Sequence, residues 1–211
     1  MPCPPRNGTF QSGPDGRGTA RAAAGAPGSR RKRVSTASPA PAPADAYVEV
    51  RSPDVLREIL GEPHPLVIDK VHDRLAADDL DVLARARFAL LATSDAAGEL
   101  DVSPRGGEPG FVRVLDDRTI VLPERPGNRR GDTLHNMLAN PHVGMLFLVP
   151  GDKKVLRLNG RVRILRDAPF FAEMTEKGVA PELAVLVEID EVYLHCPASL
   201  RRADLWASPA S

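Results

Sequence analysis

Asn128, Arg129 and Arg130 are the residues of this chain best suited to chemistry. They sit in the run Pro123-Glu124-Arg125-Pro126-Gly127-Asn128-Arg129-Arg130-Gly131-Asp132-Thr133. That run joins an apolar segment, Thr119 to Leu122, to a predicted helix starting near Asp132. A helix start carries unpaired backbone N–H groups and a partial positive charge. A guanidinium adds forked donors that match phosphate oxygens. Together they describe an anion pocket for a phosphate. A polar surface turn with solvated arginines also fits the residue types. Arg113 bears on the choice: it lies on the strand predicted to pair with Thr119 to Leu122, so its side chain can reach the same end of the sheet. Three arginines and a helix start would hold a dianionic phosphate.

Other reactive residue types are weaker leads. Ser103-Pro104-Arg105-Gly106-Gly107 has consecutive glycines, which permit either close backbone approach to a planar ligand or a loop with unusual angles. His195-Cys196 has no ligand spacing around it and is expected as a buried or half-buried pair at a strand end. His135 is expected on the surface. His64 and His72 fall in a polar segment with no partner pattern. Trp206, the single tryptophan, can pack on the core, at a dimer seam or near a ring cofactor, and packing is the default. The chain has no Walker motif, no dinucleotide fingerprint and no nucleophile elbow. No metal site is expected.

The elements that must position these residues begin near Tyr47. Ser52-Pro53-Asp54 reads as the cap and first turn of a helix to about Leu60. A second helix fits about Ala77 to Arg87, and Phe88 to Ser94 reads as a buried strand returning through a turn at Asp95–Gly98 to Leu100–Pro104. Phe111 to Leu115 and Thr119 to Leu122 flank Asp116-Asp117-Arg118 as a hairpin. The helix Thr133 to Ala139 stops at Asn140-Pro141, because proline disfavours helix in the residue before it. Val143–Val149, Val155–Leu165 and Leu183–Leu194 are further strands, with a helix from Asp167 to about Lys177 and a last one around Ser199–Leu205. Six or seven strands joined by tight turns predict antiparallel pairing, because parallel strands need long crossovers. Avoiding free edges favours closure into a barrel. The fold class is mainly β, with short flanking helices.

Composition narrows the partners. The 211 residues carry a formal net charge of zero, so no global field recruits nucleic acid or an acidic membrane. Aromatics are only 4% of residues, too few for a base-stacking platform. Cys3 and Cys196 make no disulfide framework, which points to a reducing, cytoplasmic compartment. No run reaches the roughly 18 apolar residues of a membrane span. Residues 1–45 are rich in Pro, Ala, Gly and Arg with few large apolar side chains, and are expected to be a disordered extension to a globular domain at 46–211.

The run Phe88 to Leu165, with the tail Tyr193 to Trp206, resembles the pyridoxamine 5′-phosphate oxidase-like flavoproteins. The resemblance rests on Ser103–Gly107, Pro109–Val112, Pro123–Asp132, Asn140-Pro141, Phe147–Gly151, Leu156–Gly160, His195-Cys196 and Leu205-Trp206, in order and spacing. It implies an antiparallel split β-barrel that binds FMN between two subunits of a homodimer and performs redox chemistry on a small molecule. It further implies that Arg113 and the triplet Asn128, Arg129 and Arg130 hold the phosphate. By the same analogy backbone groups near Phe111 and Val112 face the flavin edge, and Arg105 and Arg157 neighbour the ring or the partner subunit. The oxidases proper end in an Arg-x-His pattern. This chain reads Arg201-Arg202-Ala203-Asp204-Leu205-Trp206, so the resemblance does not carry pyridoxamine phosphate over as the substrate. Deazaflavin F420 is an alternative cofactor, and a non-enzymatic flavin- or haem-binding protein is an alternative role.

Overall fold

The computed structural model describes residues 47–127 and 129–206. The expectation for residues 1–45 lies outside these, apart from which the chain divides into a unit up to Arg51 and a unit from Ser52 onward. In the first unit, Val48–Arg51 are exposed, and Arg51 pairs with Glu49.

The second unit has seven strands: β1 Phe88–Ser94, β2 Leu100–Gly106, β3 Arg113–Asp116, β4 Thr119–Glu124, β5 His142–Leu148, β6 Val155–Leu165 and β7 Leu183–His195. Five helices accompany them: α1 Pro53–Leu60, α2 Pro65–Ile68, α3 Ala77–Arg85, α4 Asp132–Ala139 and α5 Ala198–Arg202. The helix expected from Asp167 to about Lys177 is a shorter 3-10 helix, Pro169–Met174. Strand order is β2-β1-β5-β6-β7-β4-β3, and every pairing is antiparallel. β3 begins at Arg113, two residues later than the apolar run beginning at Phe111 suggests.

β6 and β7 are the longest strands, and two wings share them. β5 pairs with β6 from Leu156 to Arg161, whereas β4 pairs with β7 from Leu183 to Glu188. The β6–β7 register shifts between Asn159 and Gly160. A bulge there adds local bend and twist. A Cβ on Gly160 would meet the Glu188 carbonyl at 2.3 Å, so only glycine fits this crossing. The bend lets both wings enclose one core. Ala89 and Leu91 of β1, Phe147 of β5, Leu156 and Leu158 of β6, Val187 and Val192 of β7 and Ile120 of β4 are all buried in it. The architecture is a mainly β, antiparallel split barrel with short flanking helices.

α3 plugs one side of the barrel through Val82 and Leu83. Asp79, 1% exposed, is held there by two partners. Its Oδ2 accepts the Ala76 amide at 2.9 Å and lies 2.7 Å from His72 Nε2. His72 in turn bridges to Val192 of β7 through both backbone groups. His72, expected to lack a partner, therefore ties the segment before α3 to the barrel, over a sequence separation that no local pattern reveals.

Candidate functional site

A cleft of about 370 Å³ opens where β2, the end of β4 and the start of α4 converge. Its size falls in the range of small-molecule sites. β2 alternates: Asp101, Ser103 and Arg105 are half-buried on one face, while Leu100, Val102, Pro104 and Gly106 are exposed on the other. The period of two in a strand sorts them this way. Asp101, Ser103 and Arg105 all line the cleft, as do Phe111, Glu124 and Arg130.

α4 is fixed against this wall by polar residues on one face. Thr133, buried, donates its hydroxyl to Asp101 Oδ2 at 2.6 Å, and its Oγ1 lies 2.9 Å from Ser103 Oγ. Asn136 Nδ2 donates to Thr93 Oγ1 at 3.2 Å, and Asn140 Nδ2 to Ser94 Oγ at 2.9 Å. Positions 133, 136 and 140 recur at helical spacing. Met137, buried between them, supplies the apolar contact. The N-cap is Gly131 at φ 71° and ψ 14°, and no side chain caps the helix. The first-turn residues Asp132, Thr133 and Leu134 line the cleft. The start of α4 thus meets the cleft with its amide donors free of a side-chain cap and its partial positive charge directed inward.

The site's charges are mixed. Arg105 pairs with Glu124, and the two side chains are only 17% and 23% exposed. The Arg105 Nε is buried without an acceptor. Arg130, exposed, pairs with Asp132 at 2.7 Å. Arg125 is spent elsewhere: it donates to the Met174 carbonyl at 2.6 Å and lies 3.3 Å from Glu176. At the α4 end of the cleft the first-turn residues, which have no side-chain cap among the described residues, meet Arg130. The Arg113 Nε, outside the cleft, is likewise buried without an acceptor, so the Arg105 Nε does not by itself mark a ligand position.

The expected site residues divide into groups. Arg105, Phe111 and Arg130 come together in the cleft. Arg129 is exposed at the adjoining turn with a left-handed backbone at φ 63°. Asn128 lies outside the described residues. Val112 is a core residue at 5% exposure, which leaves its backbone for any ligand role. Arg113 is not among the cleft residues: it pairs with Glu173 and lies 5.6 Å from the Phe170 ring centroid. Its placement on β3, opposite Val121, turns it toward the 3-10 helix. Arg157 lies on the outer face of β6, its guanidinium 5.6 Å from the Tyr193 ring centroid.

Three other expectations change. The glycines of Ser103–Gly107 serve internal packing, since a Cβ on Gly106 would meet the Arg87 carbonyl at 2.8 Å and one on Gly107 the Phe111 Cβ at 2.8 Å. Neither needs a left-handed backbone. His195 and Cys196 are both exposed, because β7 runs past the end of the core. Trp206 is 39% exposed and donates from Nε1 to the Asp152 carbonyl at 3.2 Å. Among the described residues no cluster of His, Cys, Asp and Glu could hold a metal ion, and no helix is long and apolar enough to cross a membrane.

Comparison with known proteins places this geometry in a family. HupZ of Group A Streptococcus is 18% identical over 57% of this chain and 94% of its own, with a TM-score of 0.47. A Lactobacillus delbrueckii protein named for pyridoxamine 5′-phosphate oxidase is 20% identical over 58% and 95%, with a TM-score of 0.47. HutZ, the haem storage protein of Vibrio cholerae, is 19% identical over 58% and 94%, with a TM-score of 0.41. No curated protein sequence matches the chain. The family model for pyridoxamine 5′-phosphate oxidase matches residues 77–196, more than half of the chain and all seven strands. The chain belongs to the pyridoxamine 5′-phosphate oxidase family.

Proposed function

We propose that this protein is an FMN-binding oxidoreductase acting on a small molecule as a cytoplasmic homodimer. The observation that carries the reading is the cleft at the uncapped start of α4, where Arg130 and the first-turn amides meet Arg105 and Phe111. Phosphate belongs at the helix end, where charge and donors coincide. Arg129 and Asn128 would extend that end from the adjoining turn. Phe111 offers an apolar wall to a ring. Bound flavin would supply hydride and electron transfer, and the protein's part is to orient it and exclude water. Arg105 and the backbone around Phe111 and Val112 would position the ring.

A second copy of the chain is supported by an unpartnered sheet face. Leu100, Val102 and Pro104 of β2, Phe88 and Leu90 of β1 and Leu146 of β5 lie on the outer side of one wing. Register joins them in rows: Leu90 faces Pro104 on one side and Leu146 on the other, and Leu146 faces Arg157. Leu100 is 80% and Val102 61% exposed. Contiguous apolar surface of this kind marks an interface. A copy seated there brings its Arg157 to the seam, which suits that residue to the partner's cofactor rather than to its own cleft.

The visible spectrum tests the proposal. Bound FMN should give a band near 450 nm that bleaches when a reductant is added. No band with excess FMN would overturn it. A band near 420 nm with F420 but none with FMN would assign the same cleft to the deazaflavin, which also carries phosphate.

A further inference from the structure

The Arg105–Glu124 pair sits in the cleft, yet it is ill suited to be part of a simple anion clamp. Ion-paired guanidinium is less available to phosphate, and a carboxylate repels it. The pair is also apart from the helix end. Ser103, beside Thr133 of α4, precedes Arg105 by two strand positions, about 7 Å. Two polar loci therefore line one cleft: a cationic one at α4 and a mixed one at Arg105 and Glu124.

The mixed locus presents both hydrogen-bonding senses side by side. Arg105 engages Glu124 through one terminal nitrogen, and its Nε–H has no acceptor. Glu124 accepts from Arg105 through Oε2, and no hydrogen bond among the described residues reaches its Oε1. The guanidinium carries further terminal N–H donors beyond the one given to Glu124. A donor next to a carboxylate acceptor, both mostly withdrawn from water, complements a ligand edge with adjacent C=O and N–H groups. A ring carrying only carboxylates would meet Glu124 as a like charge.

We infer that Arg105 and Glu124 read the cyclic imide edge of the bound ring, with Glu124 accepting from the imide N–H and Arg105 donating to the neighbouring carbonyl. The inference rests on the flavin reading above and names the residues that select the ring. Isoalloxazine and deazaflavin share this edge. The phosphate end and the imide end then act independently. Arg130 discriminates phosphate esters from the free ring alcohol, and Glu124 discriminates rings with an imide N–H from those without.

The test uses the full chain and compares FMN with its N3-methyl derivative, titrated by quenching of flavin fluorescence. The methyl group removes the single imide N–H and leaves the phosphate unchanged. Loss of a hydrogen bond to a charged group should weaken the N3-methyl ligand by roughly ten- to a hundredfold. Glu124→Ala should weaken FMN and riboflavin by the same factor and abolish discrimination against N3-methyl FMN. Equal affinity of the wild-type protein for FMN and N3-methyl FMN would overturn the inference while leaving flavin binding intact. Absence of FMN binding by the wild type would overturn the flavin reading itself, and the inference with it. The wild-type comparison requires no folded variant.

Discussion

The Thr133 hydroxyl donates to the Asp101 carboxylate at 2.6 Å and thereby ties the first turn of α4 to β2. The bond joins two elements 32 residues apart and sets where the helix end meets the cleft. Thr133 is 5% exposed, so its removal strands a half-buried carboxylate and Ser103 Oγ together.

Thr133→Val keeps the shape of the side chain and removes the donor. It should cost about 1–3 kcal/mol of stability, and Thr133→Ser should restore most of it. Chemical denaturation followed by fluorescence or circular dichroism checks this. A loss within about 0.5 kcal/mol, the ordinary range for surface changes, would show that the tie carries little.

Arg129→Ala with Arg130→Ala should lower FMN affinity at least about tenfold by removing charge-assisted bonds to phosphate. Riboflavin, which lacks the phosphate, should bind the double variant as it binds the wild type. Equal losses for both ligands would place these arginines against the ring instead.

Gly160→Ala should destabilise the fold by more than a typical point change. The added Cβ meets the Glu188 backbone carbonyl at 2.3 Å, and backbone cannot step aside as a flexible side chain can. Overpacking of this kind costs about 1–3 kcal/mol or more. Thermal or urea denaturation reads the effect, and wild-type stability would mean that the bulge relaxes freely.

Leu146→Asp places a charge in the middle of the apolar outer face, at a residue already 36% exposed in the single chain. Folding should be nearly unaffected, and self-association should be lost. Analytical ultracentrifugation separates the two states. A variant that still assembles would move the interface to another surface.

Much of this was legible in the residues. Tight turns at Asp95–Gly98 and Asp116–Arg118 announced the antiparallel pairing seen in the sheet. The strand-to-helix run at Pro123–Thr133 pointed to the place where the start of α4 meets the cleft. What escaped is non-local. Strand register places Arg113 at that end of the sheet but fixes no side-chain direction, and it pairs with Glu173, 60 residues later. Glu124 gives no signal in the sequence, since its pairing with Arg105 depends on how β2 and β4 converge. The face Thr133, Asn136 and Asn140 carried a readable signal at helical spacing, masked because polar residues on a short helix ordinarily face water. The glycines at 106 and 107 suggested room for a ligand. Their space is occupied by Arg87 and Phe111, which no reading of adjacent residues shows.

The proposed function requires one FMN site in each chain of a dimer. Sedimentation velocity of the full-length protein with FMN, recorded at the flavin band near 450 nm, tests it most directly. Flavin absorbance should travel with a species of twice the 22.7 kDa chain mass, at one FMN per chain. Flavin that remains at the meniscus, or that travels with a single chain at full occupancy, would contradict it.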